Sequence, residues 1–123
     1  MSRTSPLIRR PVAWRIMQVH TRIDDVGGFI VVTVDGAVDL AAIGHLHDDL
    51  TRAVRQHPGI TLLVDLDGAI VLDDAGLGIL LSAAAAARDT GGELEVVCTR
   101  PALRQRLAHT RFDRAVTVRD SIA

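Results

Sequence analysis

The run Val64-Asp65-Leu66-Asp67-Gly68-Ala69-Ile70-Val71-Leu72-Asp73-Asp74-Ala75-Gly76-Leu77-Gly78-Ile79-Leu80 decides how this chain folds. It begins inside the apolar stretch Ile60 to Leu66, whose β-branched and leucine content predicts a strand buried on both faces. A link over Asp67 to Leu72 then delivers Asp73 and Asp74, acids placed at the positive end of a helix. That helix continues through Leu77, Leu80 and Leu81 into Ser82 and the alanines 83 to 87, and Gly91-Gly92 ends it. The alanines are expected to form a helix face lying close to a sheet. A buried strand feeding a helix is half of a crossover unit, so its neighbours should include parallel strands.

Outward from this run the same alternation repeats. Phe29 to Val34 is a second continuous apolar strand. Gly36-Ala37-Val38-Asp39 follows it, and then Leu40, Ile43, His47 or Leu46, Leu50 and Val54 make a helical stripe with Asp39 as N-cap. Gln56-His57-Pro58-Gly59 stops that helix by removing a donor and supplying a permissive backbone. On the N-terminal side, Trp14 to Thr21 reads as an edge strand and Asp24 to Gly28 as the tight turn of a hairpin. On the C-terminal side come a strand over Glu93 to Cys98, a helix opened by Pro101 with Leu103 and Leu107 inward, and a last strand over Ala115 to Val118. The class is therefore α/β: a mostly parallel sheet of four to five strands, an antiparallel N-terminal edge strand, and helices packed on it. Residues 1–12 are expected to be a flexible tail and 13–123 a single domain.

Composition narrows the function classes. The chain has 123 residues, 48% of them hydrophobic and 24% charged, with a formal net charge of −1. A chain of this size buries roughly two-thirds of its unfolded surface, enough for a core without disulfide or metal staples. All 14 basic residues are arginine, which excludes Schiff-base chemistry, a phosphate-loop lysine and a kinase-type lysine. Trp14, Phe29 and Phe112 are the only aromatics, too few for a base-stacking nucleic-acid platform. The single Cys98 permits no internal disulfide and reads as a small buried residue, so a cytoplasmic location is expected. Arg9-Arg10 is not followed by an apolar signal segment, and the uncharged stretch Ala75 to Ala87 is too short to span a bilayer, so no membrane insertion is expected.

Three constellations could carry chemistry. Asp65, Asp67, Asp73 and Asp74 fall at or beyond a strand's carboxyl end, where ligands bind in open α/β sheets. A phosphoacceptor receiver domain puts aspartates there too, but its mechanism uses a lysine that this chain lacks. Turn and helix capping is the commoner role. His45 and His47 are two apart on a helix and diverge by about 200°, so they cannot chelate one ion. Arg100, Arg104, Arg106, Arg111, Arg114 and Arg119 make the last quarter basic, which is expected to be a solvated face, with protein docking left open and no nucleic-acid partner. None of Ser2, Ser5, Ser82 or Ser121 sits in a nucleophile elbow, so neither a catalytic residue nor a metal or other cofactor is expected.

The opening run resembles the STAS domain family, the fold of bacterial anti-sigma factor antagonists. The family's signature is a strand ending in Asp, a short link, and hydrophobic-Asp-Ser-Ser/Thr/Ala-Gly-Leu-Gly opening a helix. Here Leu72-Asp73-Asp74-Ala75-Gly76-Leu77-Gly78 stands in that place, with Gly36-Ala37-Val38-Asp39-Leu40 and Gly91-Gly92-Glu93-Leu94 matching two further family patterns. The resemblance spans about residues 14 to 119. It implies a non-enzymatic module that binds an anti-sigma factor with a histidine-kinase-like ATPase fold and so frees a sigma factor for transcription. The docking surface it implies lies around Asp39, Asp73, Asp74, Gly76 and Leu77. The alternative it implies is an accessory subunit of a lipid or anion transporter.

One departure stands out. Position 74 is where the family carries the serine or threonine that a partner kinase phosphorylates, and neither Asp74 nor Ala75 has a hydroxyl. Phosphorylation of a hydroxyl is therefore impossible there. A carboxylate is stable at a helix N-terminus, by about 0.3–1 kcal/mol at an exposed site, and carries one negative charge where phosphoserine carries roughly −1.5 to −2. Asp74 is thus either a constitutive phosphomimic or a plain helix cap, and Thr90 is an alternative hydroxyl for modification.

Overall fold

A computed structural model describes residues 19–122. In chain order the elements are β1 (His20–Val26), β2 (Phe29–Val38), a 3-10 turn (Leu40–Ala42), α1 (Ile43–Gln56), β3 (Thr61–Leu72), α2 (Asp74–Asp89), β4 (Glu93–Val97), α3 (Pro101–His109), the short α4 (Phe112–Ala115) and β5 (Val118–Arg119). The five strands form one sheet in the order β1-β2-β3-β4-β5. β1 and β2 pair antiparallel, and every other pair is parallel. This is the mixed α/β sheet that the alternating pattern calls for.

Three boundaries differ from the sequence expectation. β1 occupies His20–Val26, not Trp14 to Thr21; of that expected strand, Trp14 to Gln18 lie outside the described residues. Gly27 and Gly28, both at positive φ (59° and 87°), close the hairpin as a two-residue loop, so Asp24 and Asp25 pair with Val31 and Ile30. Charged residues beside a tight loop look like the loop itself, which is why the strand was displaced. The expected link over Asp67 to Leu72 is the second half of β3, because the far end of β2 offers it a partner: Asp35 faces Gly68, and Val38 faces Leu72. Two register shifts each insert one extra residue into β3. Gly68 lets this happen, since a Cβ there would collide with the Asp35 carboxylate. Finally, Ala115 ends the helical turn α4, and the last pairing falls on Val118 and Arg119, not on Ala115 to Val118.

Strand alternation sends Val32, Val34, Leu62, Val64, Leu94 and Val96 to one face of the sheet. There they pack with Leu46, Leu50 and Val54 of α1, Leu80, Ala84 and Ala87 of α2, and Leu103 and Leu107 of α3. Each such leucine contributes about 1.5–3 kcal/mol on burial. Of the alanine run, Ala83, Ala84 and Ala87 are buried and form the close-packed face, while Ala85 and Ala86 are exposed. On the other face Val31, Leu63 and Val97 cluster with Phe29 and Ile122, and the Arg119 guanidinium lies 5.3 Å from the Phe29 ring centroid.

Candidate interaction site

β2 and β3 lie side by side, with Val38 opposite Leu72, so their carboxyl ends release the chain at adjacent points. Each releases it through an aspartate in extended conformation. The Asp39 carboxylate accepts from Ala42 N–H at 3.2 Å, and the Asp73 carboxylate accepts from Gly76 N–H at 3.1 Å. Both are N-caps: Asp73 satisfies an otherwise unpaired donor of α2, and Asp39 shares the Ala42 N–H with its own backbone C=O, which accepts it at 3.0 Å. The two starts are tied together by Asp73 N–H donating to Val38 C=O at 3.2 Å.

Asp74 is the first helical residue of α2, and 90% of its side chain is exposed. Its Oδ1 lies 2.8 Å from Arg106 Nη2 on α3. Gly76 and Leu77, expected on the docking surface, are both buried, Leu77 to 6% exposure. A Cβ on Gly76 would stand 2.8 Å from both Leu72 Cδ1 and Val38 Cγ1. These two residues therefore shape the surface from beneath: glycine lets the first turn of α2 sit on the strand ends, and Leu77 anchors it in the core.

Apolar side chains that the sequence reading did not single out are exposed near the same strand ends. Leu40 is 75% exposed, and Ile70 and Val71 near the end of β3 are also exposed. Leu40 was counted in the stripe of the first helix, but it sits on the 3-10 turn, whose tighter winding takes it off the α1 face. The signal was there in Asp39-Leu40, a large apolar residue directly after a cap, where the stripe has not yet begun.

The four aspartates do not converge. The Asp65 carboxylate accepts from Asp67 N–H, and the Asp67 carboxylate accepts from Thr99 N–H at 2.7 Å and from Thr99 Oγ1 at 2.9 Å. Among the described residues no group of three or more His, Cys, Asp or Glu side chains is arranged to hold a metal ion. His45 and His47 are exposed on α1. Cys98 is fully buried after β4, as read from the sequence, and burial pushes its thiol pKa up. The Thr90 hydroxyl donates to Ala87 C=O and accepts from Gly59 N–H, so it caps the end of α2.

The arginine-rich last quarter is only partly the solvated face expected. Arg100 donates to the carbonyls of Asp67 and Ala69, and Arg104 to that of Cys98. Arg119 donates to Ile122 C=O and pairs with Glu95. These guanidiniums hold backbone that the sheet leaves unpaired. The half of β3 beyond Asp65 extends past β4, and Arg100 covers its free edge. No described helix is long and apolar enough to cross a membrane.

With this architecture established, known proteins place it. The STAS domain family matches residues 18–123, and the chain belongs to that family. A crystal structure of an anti-sigma factor antagonist from Mycobacterium paratuberculosis is 26% identical, with a TM-score of 0.76, over 85% of this chain and 88% of the other. The Bacillus cell fate determinant SpoIIAA in its phosphorylated form shares the fold at 15% identity and a TM-score of 0.60, over 80% of this chain and 90% of its own. The murine anion transporter Slc26a9 contains a similar unit, at 16% identity and a TM-score of 0.67 over 80% of this chain, but that unit is 17% of the transporter chain. No curated protein sequence matches.

Proposed function

We propose that the chain is a non-catalytic docking module that binds a histidine-kinase-like anti-sigma factor and thereby controls sigma-factor-dependent transcription in the cytoplasm. The observation that carries this reading is the exposed Asp74 carboxylate on the first residue of α2, between two capped strand ends. The 26% identity with the mycobacterial anti-sigma factor antagonist supports it. The docking surface comprises Asp39, Asp73 and Asp74 with Leu40, Ile70 and Val71 as its apolar part, over a floor set by Gly76 and Leu77. Apolar side chains rimmed by polar ones are the usual anatomy of a protein interface.

Position 74 is where charge governs docking, and Asp74 places a carboxylate there without a kinase. The test is Asp74→Ser with a histidine-kinase-like anti-sigma factor. Radiolabelled ATP should label the serine variant and not the parent chain, and calorimetry should show weaker binding once the serine is labelled. No labelling, or labelling that leaves the affinity unchanged, would remove the charge argument. Co-purification with a permease and its ATPase, in place of an anti-sigma factor, would instead establish the chain as a transporter subunit.

A further inference from the structure

Residue 74 does not present its charge alone. Arg106 reaches it from α3, and α3 is held in place by polar links to the overhanging half of β3. The Asp67 carboxylate takes both donors of Thr99, and Arg100 takes the Asp67 and Ala69 carbonyls, just before α3 begins. Leu103 and Leu107 seat the helix in the core. The Arg106 side chain emerges from this anchored helix with its Nε buried and without a hydrogen-bond partner, while its Nη2 engages Asp74 Oδ1. The guanidinium is thus directed at the start of α2, although its stem gains no hydrogen bond on the way.

We infer that Arg106 sets the charge that position 74 presents, masking Asp74 so that the docking surface behaves as the uncharged form. This rests on the reading of position 74 given above and adds a residue that acts through it. One guanidinium cancels one carboxylate, but it would leave a phosphoserine with roughly half to one negative charge. Aspartate and phosphoserine are therefore not equivalent beside Arg106: the first is neutralised and the second is not. Exposed ion pairs favour their closed form by only about 1.5- to 5-fold, so the mask is adjustable and opens readily. Removing Arg106 converts Asp74 into the fixed charge of a phosphomimic.

The test compares the full chain with Asp74→Asn, Arg106→Gln, the double variant and Arg106→Lys. Urea unfolding of the first four gives a double-mutant cycle. At low salt the two sites should be coupled by about 1.5- to 5-fold in the unfolding equilibrium, and the coupling should vanish at about 1 M NaCl. No coupling at low salt overturns the inference. The second readout is calorimetry against a histidine-kinase-like anti-sigma factor that the parent chain binds. Arg106→Gln should weaken binding at least fivefold, Asp74→Asn and the double variant should bind like the parent, and Arg106→Lys should keep the affinity. A purely structural role would leave the double variant as weak as Arg106→Gln, and an unmasked charge would make Asp74→Asn bind much more tightly; either result overturns the inference. If the parent chain binds no such protein, the functional reading falls, and the unfolding cycle alone decides whether Arg106 neutralises Asp74.

Discussion

The ends of β2 and β3 are built alike up to the cap and differ immediately after it. Both strands finish with an apolar residue and an aspartate whose carboxylate takes the backbone N–H three residues on. After Asp39 comes Leu40, exposed, on a three-residue 3-10 turn. After Asp73 comes Asp74, exposed and paired to Arg106, on a 16-residue α-helix. At the capped N–H itself, the first start has Ala42 and the second Gly76. The shared part is structural, and what differs is what each start exposes: an apolar side chain at one, a charge with its own counter-ion at the other.

Perturbing these differences should produce effects of graded size. The largest is steric. Gly76→Val forces a side chain between Leu72 and Val38, and urea unfolding should report a loss of about 1–3 kcal/mol, or more if the first turn of α2 lifts. Ala42→Gly at the corresponding position should lose no more than about 1 kcal/mol. The caps come next. Asp73→Ala should cost about 1–2 kcal/mol, and Asp39→Ala, which frees only a 3-10 turn, nearer the lower end of the ~0.5–2 kcal/mol range for lost N-caps. On a domain of this size each kcal/mol appears as a melting shift of about 4 °C. Asp74→Asn should change stability by less than about 1 kcal/mol, because the Asp74 side chain is 90% exposed, and the change should shrink in high salt. Leu40→Ser should leave stability within about 0.5 kcal/mol while weakening docking at least tenfold, a split between urea unfolding and calorimetry that a buried residue would not give.

The sequence made the architecture legible because its periodicities were unmixed. Phe29 to Val34 and Ile60 to Leu66 have no polar alternation, so buried parallel strands followed directly, and Asp39 and Asp73 stand where caps must stand. The second half of β3 was not legible, because Asp67-Gly68 has the composition of a turn and only pairing with Asp35 to Val38 makes it a strand. The site divides in the same way. Asp39, Asp73 and Asp74 were legible from local chemistry as helix-start acids, and as docking residues only through the family resemblance. The burial of Gly76 and Leu77, the exposure of Leu40, and the Arg106 contact with Asp74 depend on how distant segments meet. Arg106 lies 32 residues from its partner, and no spacing rule within one helix or hairpin connects them.

The central claim is that the carboxyl ends of β2 and β3, with the start of α2, form the surface that docks a protein partner. It is tested most directly by titrating the isotope-labelled chain with a purified histidine-kinase-like anti-sigma factor and following the backbone amides by NMR. The account expects the strongest perturbations at Asp39 and Leu40, at Ile70 and Val71, and over Asp73 to Leu77, and their loss in Leu40→Asp. Binding whose perturbations centre on β1 or on the outer face of α1, with those segments unmoved, would contradict it.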